Sequence, residues 1–146
     1  MGIVTCKDLE GGDNVQRRFL NIASFGLSSM ANQQVSRFSA MGGSLAYAAA
    51  TAWSLMGWSN PGIQLTYITR DDRIQRYEGP TVMGAFANGR FFGGGMQVAP
   101  EAQCDDGLID VVLIGDLRRR DILRLARHLY DGSHVKHPLV TTVKAK

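Results

Sequence analysis

The sequence predicts a β-rich α+β domain, in which mainly antiparallel strands form a sandwich and two helices are inserted. Short apolar segments that alternate in polarity recur between glycine- and proline-containing turns, as expected of half-buried strands. Two segments have helical spacing, but the strands do not alternate regularly with helices as a doubly wound parallel sheet requires. The length of 146 residues and the hydrophobic content of 45% suit one globular domain.

The first half of the chain is predicted to begin with strands. A strand at Ile3–Thr5 is followed by a polar turn at Lys7–Asn14, and the alternation of Arg17–Gly26 predicts one continuous strand. Ser28–Phe38 is compatible with a short helix, which the glycines of Met41–Gly43 would end.

The segment after these glycines predicts the first of the two inserted helices. Ser44 is a candidate N-cap, and the helix is expected to run to about Met56. Its alanines indicate close packing against a sheet. The predicted buried stripe consists of Leu45, Ala48, Ala49 and Ala52.

Three strands are expected next. Ile63–Thr69 and Ile74–Gly79 surround the polar turn Arg70–Arg73 and predict a hairpin. Pro80–Asn88 is apolar almost throughout, so it is expected to be buried. Leu108–Asp116 has the clearest strand pattern of the chain.

The second inserted helix is predicted at Leu117–Tyr130, capped by Asp116 and ended by Gly132. Leu139–Lys146 then has the pattern of a strand. The helix has two distinct faces: an apolar one formed by Ile122, Leu125, Ala126 and Leu129, and a basic one formed by Arg120, Arg124 and Arg127.

Charge and cysteine usage bound the function only loosely. The net charge of +3 is too small to argue for nucleic acid, and it suits an anionic membrane, a phosphate ligand or an ordinary surface. Cys6 and Cys104 lack CxxC spacing, which favours a reduced, cytoplasmic protein. The apolar segment Ser44–Trp58 is short for a membrane span. Trp53 and Trp58 could be interfacial anchors, although core packing is the commoner role.

Three consecutive glycines, Gly93, Gly94 and Gly95, allow three interpretations. They do not form a GxGxxG or GxxxxGK[ST] motif, so a phosphate loop is weakly supported. A hairpin corner that needs positive φ is the better interpretation from the residues alone. Close approach of the backbone to a ligand is the third.

Two polar clusters could bind metal. Asp105, Asp106 and Asp110 are hard oxygen donors near a glycine and suit Mg²⁺ or Ca²⁺, although an Asp-Gly turn before a strand is the commoner meaning. Surface or capping roles are favoured over zinc binding for the histidines, which are His128, His134 and His137.

The arginines of the last helix could contact lipid headgroups, but such faces are usually solvated.

Four motifs occur in order between Asn88 and Pro138: N-G-(x)₃-G-G-G, A-P-x-A, D-D-G-L-x-D and G-x-H-(x)₂-H-P. Together they resemble the C-terminal domain of the diacylglycerol kinase catalytic-type lipid kinases, which include bacterial diacylglycerol kinases and sphingosine and ceramide kinases. "RRFLNIASFGL" resembles the strand that opens that domain. The resemblance extends from about Arg17 to His137.

The resemblance implies an enzyme that transfers the γ-phosphoryl group of ATP to a lipid hydroxyl. In such kinases an N-terminal domain carries a G-G-D-G-T nucleotide loop, and a general base lies in a later D-G-E motif. Neither motif occurs in this sequence. Glu10–Asn14 (EGGDN) is partly similar to the nucleotide loop, but it lacks the last Gly and the Thr. We therefore expect residues 1–146 to be a domain truncated at both ends, without its nucleotide-binding domain and inactive alone.

The resemblance also implies site residues. A wall of the substrate cleft would include Asn88, Gly89, Gly93, Gly94 and Gly95. A structural Mg²⁺ would be held by the Gln103 carbonyl, the Asp106 carboxylate and the Leu108 carbonyl, a donor set that suits a hydrated hard cation.

The expected substrate is a diacylglycerol-like lipid rather than sphingosine, since Gly26–Gln34 has no acid to bind an amine. We expect a cytoplasmic protein with peripheral membrane contact. The alternatives are an NAD kinase-like enzyme and a lipid-binding module without catalysis.

Overall fold

The computed structural model describes residues 1–6 and 15–146. The turn predicted at Lys7–Asn14 and the EGGDN segment lie outside the described residues. The strands are β1 (Gly2–Cys6), β2 (Val15–Phe19), β3 (Ile22–Gly26), β4 (Gly62–Ile68), β5 (Ile74–Pro80), β6 (Met83–Ala87), β7 (Ile109–Ile114) and β8 (Val140–Ala145). The α-helices are α1 (Leu27–Gln34), α2 (Gly43–Gly57) and α3 (Arg119–His128), and 3₁₀ helices form at Val35–Met41 and Ser133–Lys136.

All strand pairs of the described residues are antiparallel, which confirms the predicted class. A four-stranded sheet has the order β3-β6-β7-β8, while β1 pairs with β2 and β4 pairs with β5 in two-stranded sheets. The predicted hairpin of β4 and β5, the buried strand β6 and the strand β7 are all present. Helices α1 and α2 lie between β3 and β4 in the chain, and α3 lies between β7 and β8.

The two faces of the four-stranded sheet bury different partners. Val112 and Ile114 of β7 pack in one apolar cluster with Leu55 of α2 and Leu125 of α3. The alternate residues Val111 and Leu113 belong to a second cluster that contains side chains of the β4–β5 hairpin. Alternation along a strand sends neighbouring side chains to opposite faces, so the central strands are buried on both sides. The sheet therefore separates a helical layer from a layer of hairpins.

A glycine permits the close packing of the hairpin-side face. A Cβ at Gly84 of β6 would overlap the ring of Phe25 on β3. That ring lies beside the ring of Phe86, with 5.8 Å between the two centroids. Glycine at this position leaves room for the Phe25 ring against the strand.

The single strand predicted at Arg17–Gly26 is two strands that belong to different sheets. The chain bends at Leu20 and Asn21, where the Asn88 side-chain amide donates to the Leu20 carbonyl (3.0 Å). The Asn21 carbonyl accepts from the Asn88 backbone N–H at 2.8 Å. These long-range bonds replace the ladder that a continuous strand would use, so local alternation could not reveal the break.

The two-helix count is also wrong, since the described residues contain three α-helices. The short helix compatible with Ser28–Phe38 forms as α1 and then tightens into the 3₁₀ helix at Val35–Met41. Helix α2 begins after Gly42, whose φ of 82° ends that 3₁₀ segment. Ser44 therefore lies inside α2 and is not its N-cap.

Helix α2 buries a different stripe from the predicted one. Its buried residues include Ala46, Ala50 and Leu55, whereas Leu45 is 63% exposed and Trp53 is 52% exposed. Of the rest of the predicted stripe, Ala48 and Ala52 are exposed and Ala49 is half-buried. Because α2 is apolar on nearly every side, its sequence does not determine which side packs. No helix in the described ranges is long and apolar enough to cross a bilayer.

Helix α3 has the predicted apolar face. Ile122, Leu125 and Leu129 are buried, and Ala126 is half-buried. The cap prediction is wrong, because the residue before the helix is Arg118, and the Asp116 carboxylate instead accepts from the Asn60 amide at 2.7 Å. Gly132 takes the left-handed conformation just before the second 3₁₀ helix.

Candidate functional site

An apolar cavity of about 220 Å³ lies on the helical side of the sheet. Helix α2 contributes Tyr47, Ala48 and Thr51, and α3 contributes Ile122, Leu123, Leu125, Ala126 and Arg127. The sheet closes the cavity with Met83 and Ile114. An apolar cavity of about 150 Å³ already accepts a ring such as benzene, so this one has room for a hydrocarbon group.

The mouth of the cavity lies between α2 and α3. Four of the lining residues are exposed, namely Ala48, Leu123, Arg127 and Tyr130. Tyr47 lies deeper, and burial raises the pKa of its hydroxyl, with the nearby Tyr130 adding to the effect. The Tyr47 hydroxyl is therefore neutral at physiological pH and can both donate and accept a hydrogen bond at the polar end of a ligand.

The glycines Gly93, Gly94 and Gly95 form the tip of a tight hairpin. Phe92 and Met96 exchange two backbone hydrogen bonds of 3.0 and 3.1 Å across it. The three glycines have φ values of 46°, 72° and 91°, in the left-handed region that favours glycine. The hairpin-corner interpretation is therefore confirmed. Close packing is not what requires Gly95, because a Cβ there would meet nothing within 4 Å.

The same hairpin connects the glycines to the cavity, because Phe92 and Met96 both line it. The glycine tip itself is exposed. Asn88 and Gly89 lie at the base of the segment, where Gly89 N–H donates to the Asn21 carbonyl at 3.3 Å and a Cβ on Gly89 would clash with the Asn21 side chain. The predicted cleft-wall residues are thus one connected segment, and their contact with a substrate stays a prediction.

The predicted metal loop contains Gln103, Asp106 and Leu108. Both oxygens of the Asp106 carboxylate have partners: Oδ1 accepts from the Leu108 backbone N–H at 3.0 Å, and Oδ2 accepts from Lys144 Nζ at 2.7 Å. Hydrogen bonds from Lys144 and Leu108 lower the pKa of Asp106. The loop therefore holds a carboxylate that is ionised and already neutralised by an ammonium group.

Lys144 reaches a second carboxylate and a carbonyl. Its ammonium group lies 3.2 Å from Asp110 Oδ2 and 3.4 Å from the Glu101 carbonyl oxygen. Burial raises the pKa of Asp110, and the bond from Lys144 opposes that rise. The bond to Asp106 raises the pKa of Lys144, so the lysine stays charged.

The residues as placed do not fit a Mg²⁺ ion. The one predicted carboxylate ligand is already paired with the Lys144 ammonium group at 2.7 Å, and a Mg²⁺ ion bound beside it would be repelled by that positive charge. Within residues 1–6 and 15–146, no group of three or more acidic, histidine or cysteine side chains is placed to hold a metal. The set of Gln103, Asp106 and Leu108 therefore stays a prediction that would require Lys144 to move.

The histidines differ from one another in burial. His134 is 1% exposed, and its Nε2 lies 3.0 Å from the Val98 carbonyl oxygen, so it is a structural core residue and not a surface one. His128 Nδ1 lies 2.9 Å from the Ser133 hydroxyl, and His137 Nδ1 accepts from the Leu139 N–H at 3.2 Å. The three side chains thus have separate polar partners.

Sequence reasoning missed two features of this region. Lys144 lies opposite Asp110 in the β7–β8 register, and nothing in the local pattern announces a partner 34 residues away. Exposure of the apolar side of α2 was missed for the reason given above. A usable signal was the absence of any Asp, Glu, Lys, Arg or His in Gly43–Gly57.

The fold matches known structures of lipid kinase-type proteins. A crystal structure of a Bacillus anthracis str. Sterne protein assigned as a diacylglycerol kinase superposes with a TM-score of 0.56 at 20% identity, over 88% of this chain and 40% of that one. A second structure of such a protein from that strain gives 0.51, with the same identity and coverage. At this identity the likeness shows the β-sandwich architecture alone.

Sequence comparison then gives the family. The model of the YegS C-terminal NAD kinase beta sandwich-like domain matches residues 21–146, and the chain belongs to that family. Proteins named diacylglycerol kinase from two strains of Mycobacterium tuberculosis, CDC 1551 / Oshkosh and H37Rv, are 25% identical over 138 residues. The alignment covers 94% of this chain and 43% of each relative, so the chain spans less than half the length of those relatives.

Proposed function

We propose that this chain is the substrate-side domain of an ATP-dependent lipid kinase that phosphorylates a lipid hydroxyl. The observation that carries the proposal is the apolar cavity between α2, α3 and the sheet, bordered by Phe92 and Met96 of the glycine hairpin. A lipid is the substrate class that an almost wholly apolar cavity selects. The names of the Mycobacterium tuberculosis relatives support the same chemistry.

The cavity suits a hydrocarbon chain whose polar end remains near its mouth. Tyr130 offers a hydroxyl group there and Arg127 a guanidinium group, and Tyr47 offers a second hydroxyl group deeper in the cavity. These groups can orient a neutral glycerolipid and attract its phosphorylated product. We therefore favour a diacylglycerol-like lipid over an amine-bearing one, since no carboxylate is among the described residues that line the cavity. The same apolar lining disfavours an NAD kinase-like role, because a dinucleotide requires polar contacts.

Entry of a lipid from a bilayer is supported by the surface around the mouth. We define the α2 face as Leu45, Ala48, Ala52, Trp53 and Met56, all exposed and all apolar. Helix α3, which also borders the mouth, has two exposed arginines outside the cavity lining, Arg120 and Arg124, whose side chains are 67% and 70% exposed. Apolar residues beside arginines are the combination that binds anionic lipid surfaces. This surface supports peripheral membrane contact.

The remaining parts of the reaction belong to other residues of the whole enzyme. Phosphoryl transfer requires ATP, Mg²⁺ and a base held together in one geometry. We propose that a nucleotide-binding domain supplies the ATP site. The exposed glycine tip, together with Asn88 and Gly89, would then line the cleft between that domain and this one. The isolated chain of 146 residues is therefore expected to be inactive.

The test is lipid phosphorylation by the full-length enzyme with a cavity-blocking substitution. Ala48 is exposed and lines the cavity, so A48F places a ring in the mouth without disturbing the core. A52F is the matched control, one turn further along the same helix and outside the lining. In detergent micelles with diacylglycerol, A48F is expected to lower kcat/KM at least tenfold, and A52F to leave it within about twofold.

Three other outcomes would count against the proposal. Equal activities of A48F and A52F would show that the cavity is not the lipid site. A strong preference for sphingosine would contradict the diacylglycerol-like substrate. Lipid binding without any phosphorylation by the full-length enzyme would favour a non-catalytic lipid-binding module.

A further inference from the structure

The segment from Glu101 to Asp110, which we call the acidic loop, follows the glycine hairpin. A positively charged side chain of the protein, Lys144, already contacts it. We propose that the Lys144 ammonium group is the resident cation of this loop, and that Lys144 and a divalent cation exclude each other at Asp106. The proposal concerns cation binding only, so it stands or falls separately from the lipid-kinase proposal.

The surroundings of Lys144 resemble a coordination shell. An ammonium group has three N–H donors, and three oxygens lie within reach: Asp106 Oδ2 at 2.7 Å, Asp110 Oδ2 at 3.2 Å and the Glu101 carbonyl at 3.4 Å. Two carboxylates and a carbonyl are also the oxygen donors that a hard metal ion prefers. The lysine therefore occupies the position where such an ion would find its charge balance.

The fold itself fixes this arrangement. Lys144 lies directly opposite Asp110 in the antiparallel pairing of β7 with β8, and Asp106 is held in its turn by the Leu108 N–H. The side chain of Lys144 is 28% exposed and that of Asp110 is 12% exposed. In such a partly buried place a second positive charge beside the ammonium would be repelled more strongly than in water. A Mg²⁺ ion can then bind only when Lys144 withdraws or is removed.

The test is Mg²⁺ binding by the full-length protein without nucleotide. Binding is measured by calorimetry and by thermal unfolding at increasing MgCl₂. In the wild type, these readings are expected to show no Mg²⁺ binding that depends on Asp106. K144M keeps the apolar stem but leaves two carboxylates without a counter-ion. It is expected to bind Mg²⁺ at least tenfold more tightly and to gain a Mg²⁺-dependent rise in Tm.

Two controls assign the gained site. In D106N/K144M the new Mg²⁺ response should disappear. In K146M it should never develop, because Lys146 pairs with Asp72, which is 76% exposed, and not with Asp106 or Asp110. A K144M protein that binds Mg²⁺ no better than the wild type would overturn the proposal.

A second measurement keeps the proposal testable if K144M does not fold. Three hydrogen bonds slow the proton exchange of the Lys144 ammonium group, so its ¹⁵N signal should be observable in the wild type. Because Lys144 is the resident cation, this signal is expected to stay unchanged by millimolar MgCl₂. Release of this signal by Mg²⁺, with the D106N variant insensitive, would show that the metal readily displaces the lysine and would refute its role as the resident cation.

Discussion

Helices α2 and α3 border the same cavity, yet they are built in opposite ways. Helix α2 has no charged residue between Gly43 and Gly57, and it exposes apolar side chains on the side away from the core. Helix α3 contains four arginines and one aspartate between Arg119 and His128, and its apolar residues lie mainly on the buried side, with Leu123 exposed at the cavity mouth. Both pack on the same sheet, so the requirements of the core do not explain the difference.

Hydrophobic periodicity predicts the buried side of a helix only when the opposite side is polar. In α3 a polar side opposes an apolar one, so the buried residues can be predicted, and they are buried in the structure. In α2 every side is apolar, so the predicted stripe was the exposed one. An apolar helix side that the fold does not bury is typical of a surface that binds a membrane or another protein. The failure of prediction in α2 thus falls on the surface that we propose to contact lipid.

The largest expected effect separates the two helices by stability. Leu125 of α3 is 6% exposed, and L125A is expected to lower the free energy of unfolding by about 2–5 kcal/mol, through lost burial and the cavity it leaves. Leu45 of α2 is 63% exposed, and L45A should change it by less than about 0.5 kcal/mol. Urea unfolding of both variants is the measurement. A large loss in L45A would show that the α2 face is covered within the protein.

The next effect concerns membrane affinity. Trp53 and Met56 are 52% and 68% exposed on the α2 face, and inserting both into a bilayer contributes roughly 1.5 kcal/mol or more each. W53S/M56S is therefore expected to lose about 3 kcal/mol of binding to vesicles of phosphatidylcholine and phosphatidylserine in a sedimentation assay, at low and high salt alike. Unchanged binding would remove α2 from the membrane-contacting surface. A stability measurement on the same variant should show no matching loss.

The contribution of α3 is expected to be smaller and to depend on salt. Arg124 is exposed and pairs with Asp121 at the surface, at 3.3 Å, an interaction that contributes little to stability. R124Q should weaken vesicle binding by about 1 kcal/mol at low ionic strength, since each arginine near an anionic surface contributes roughly that much. At 0.5 M salt the wild type and R124Q should bind alike. A salt-independent loss would mean that Arg124 has a packing role instead.

Local pattern was sufficient for much of the fold. The β4–β5 hairpin and strands β6, β7 and β8 were predictable because alternation and turn residues lie within each segment. The corner formed by Gly93, Gly94 and Gly95 was predictable because left-handed backbone selects glycine.

Features determined by distant partners were not predictable. The break at Leu20 and Asn21 depends on Asn88, and the surroundings of Asp106 depend on Lys144, 38 residues away. The candidate site was thus predicted as a set of segments, while the side-chain partners that decide its chemistry came from register and packing.

The last expected effect is a pH dependence on the α3 side of the molecule. His134 is buried beyond the end of α3, and burial lowers the pKa of His134 below the ordinary value of 6.5. Interactions with the backbone of Val98 and His128 and with the charge of Asp131 oppose that shift, while the charge of His128 adds to it. The Nε2–H of neutral His134 donates to Val98, and its Nδ1 has no partner within the described residues. Protonation would bury an unpaired donor and a charge. The neutral form is therefore the one that stabilises the fold.

The sign follows from proton linkage. Between its lowered folded-state pKa and 6.5, His134 binds fewer protons in the folded protein than in the unfolded chain. Its stabilising contribution is therefore complete above pH 6.5 and is lost as the pH falls towards the folded pKa, by at most about 1.4 kcal/mol per pH unit. The adjoining segment is tied to α3, because Gln97 N–H donates to the Leu129 carbonyl at 2.6 Å. Helix α2 has no such ionisable anchor in its sequence.

Hydrogen exchange at pH 7.5 and 5.5, corrected for intrinsic rates, measures this difference helix by helix. Amides of α3 are expected to lose protection at the lower pH, while amides of α2 keep theirs. H134Q, which retains a side-chain amide donor for Val98, should abolish the pH response, and H137Q should preserve it because His134 is intact. Equal losses in both helices, or a response that persists in H134Q, would show that the acid sensitivity arises elsewhere and that the two helices do not differ in this respect.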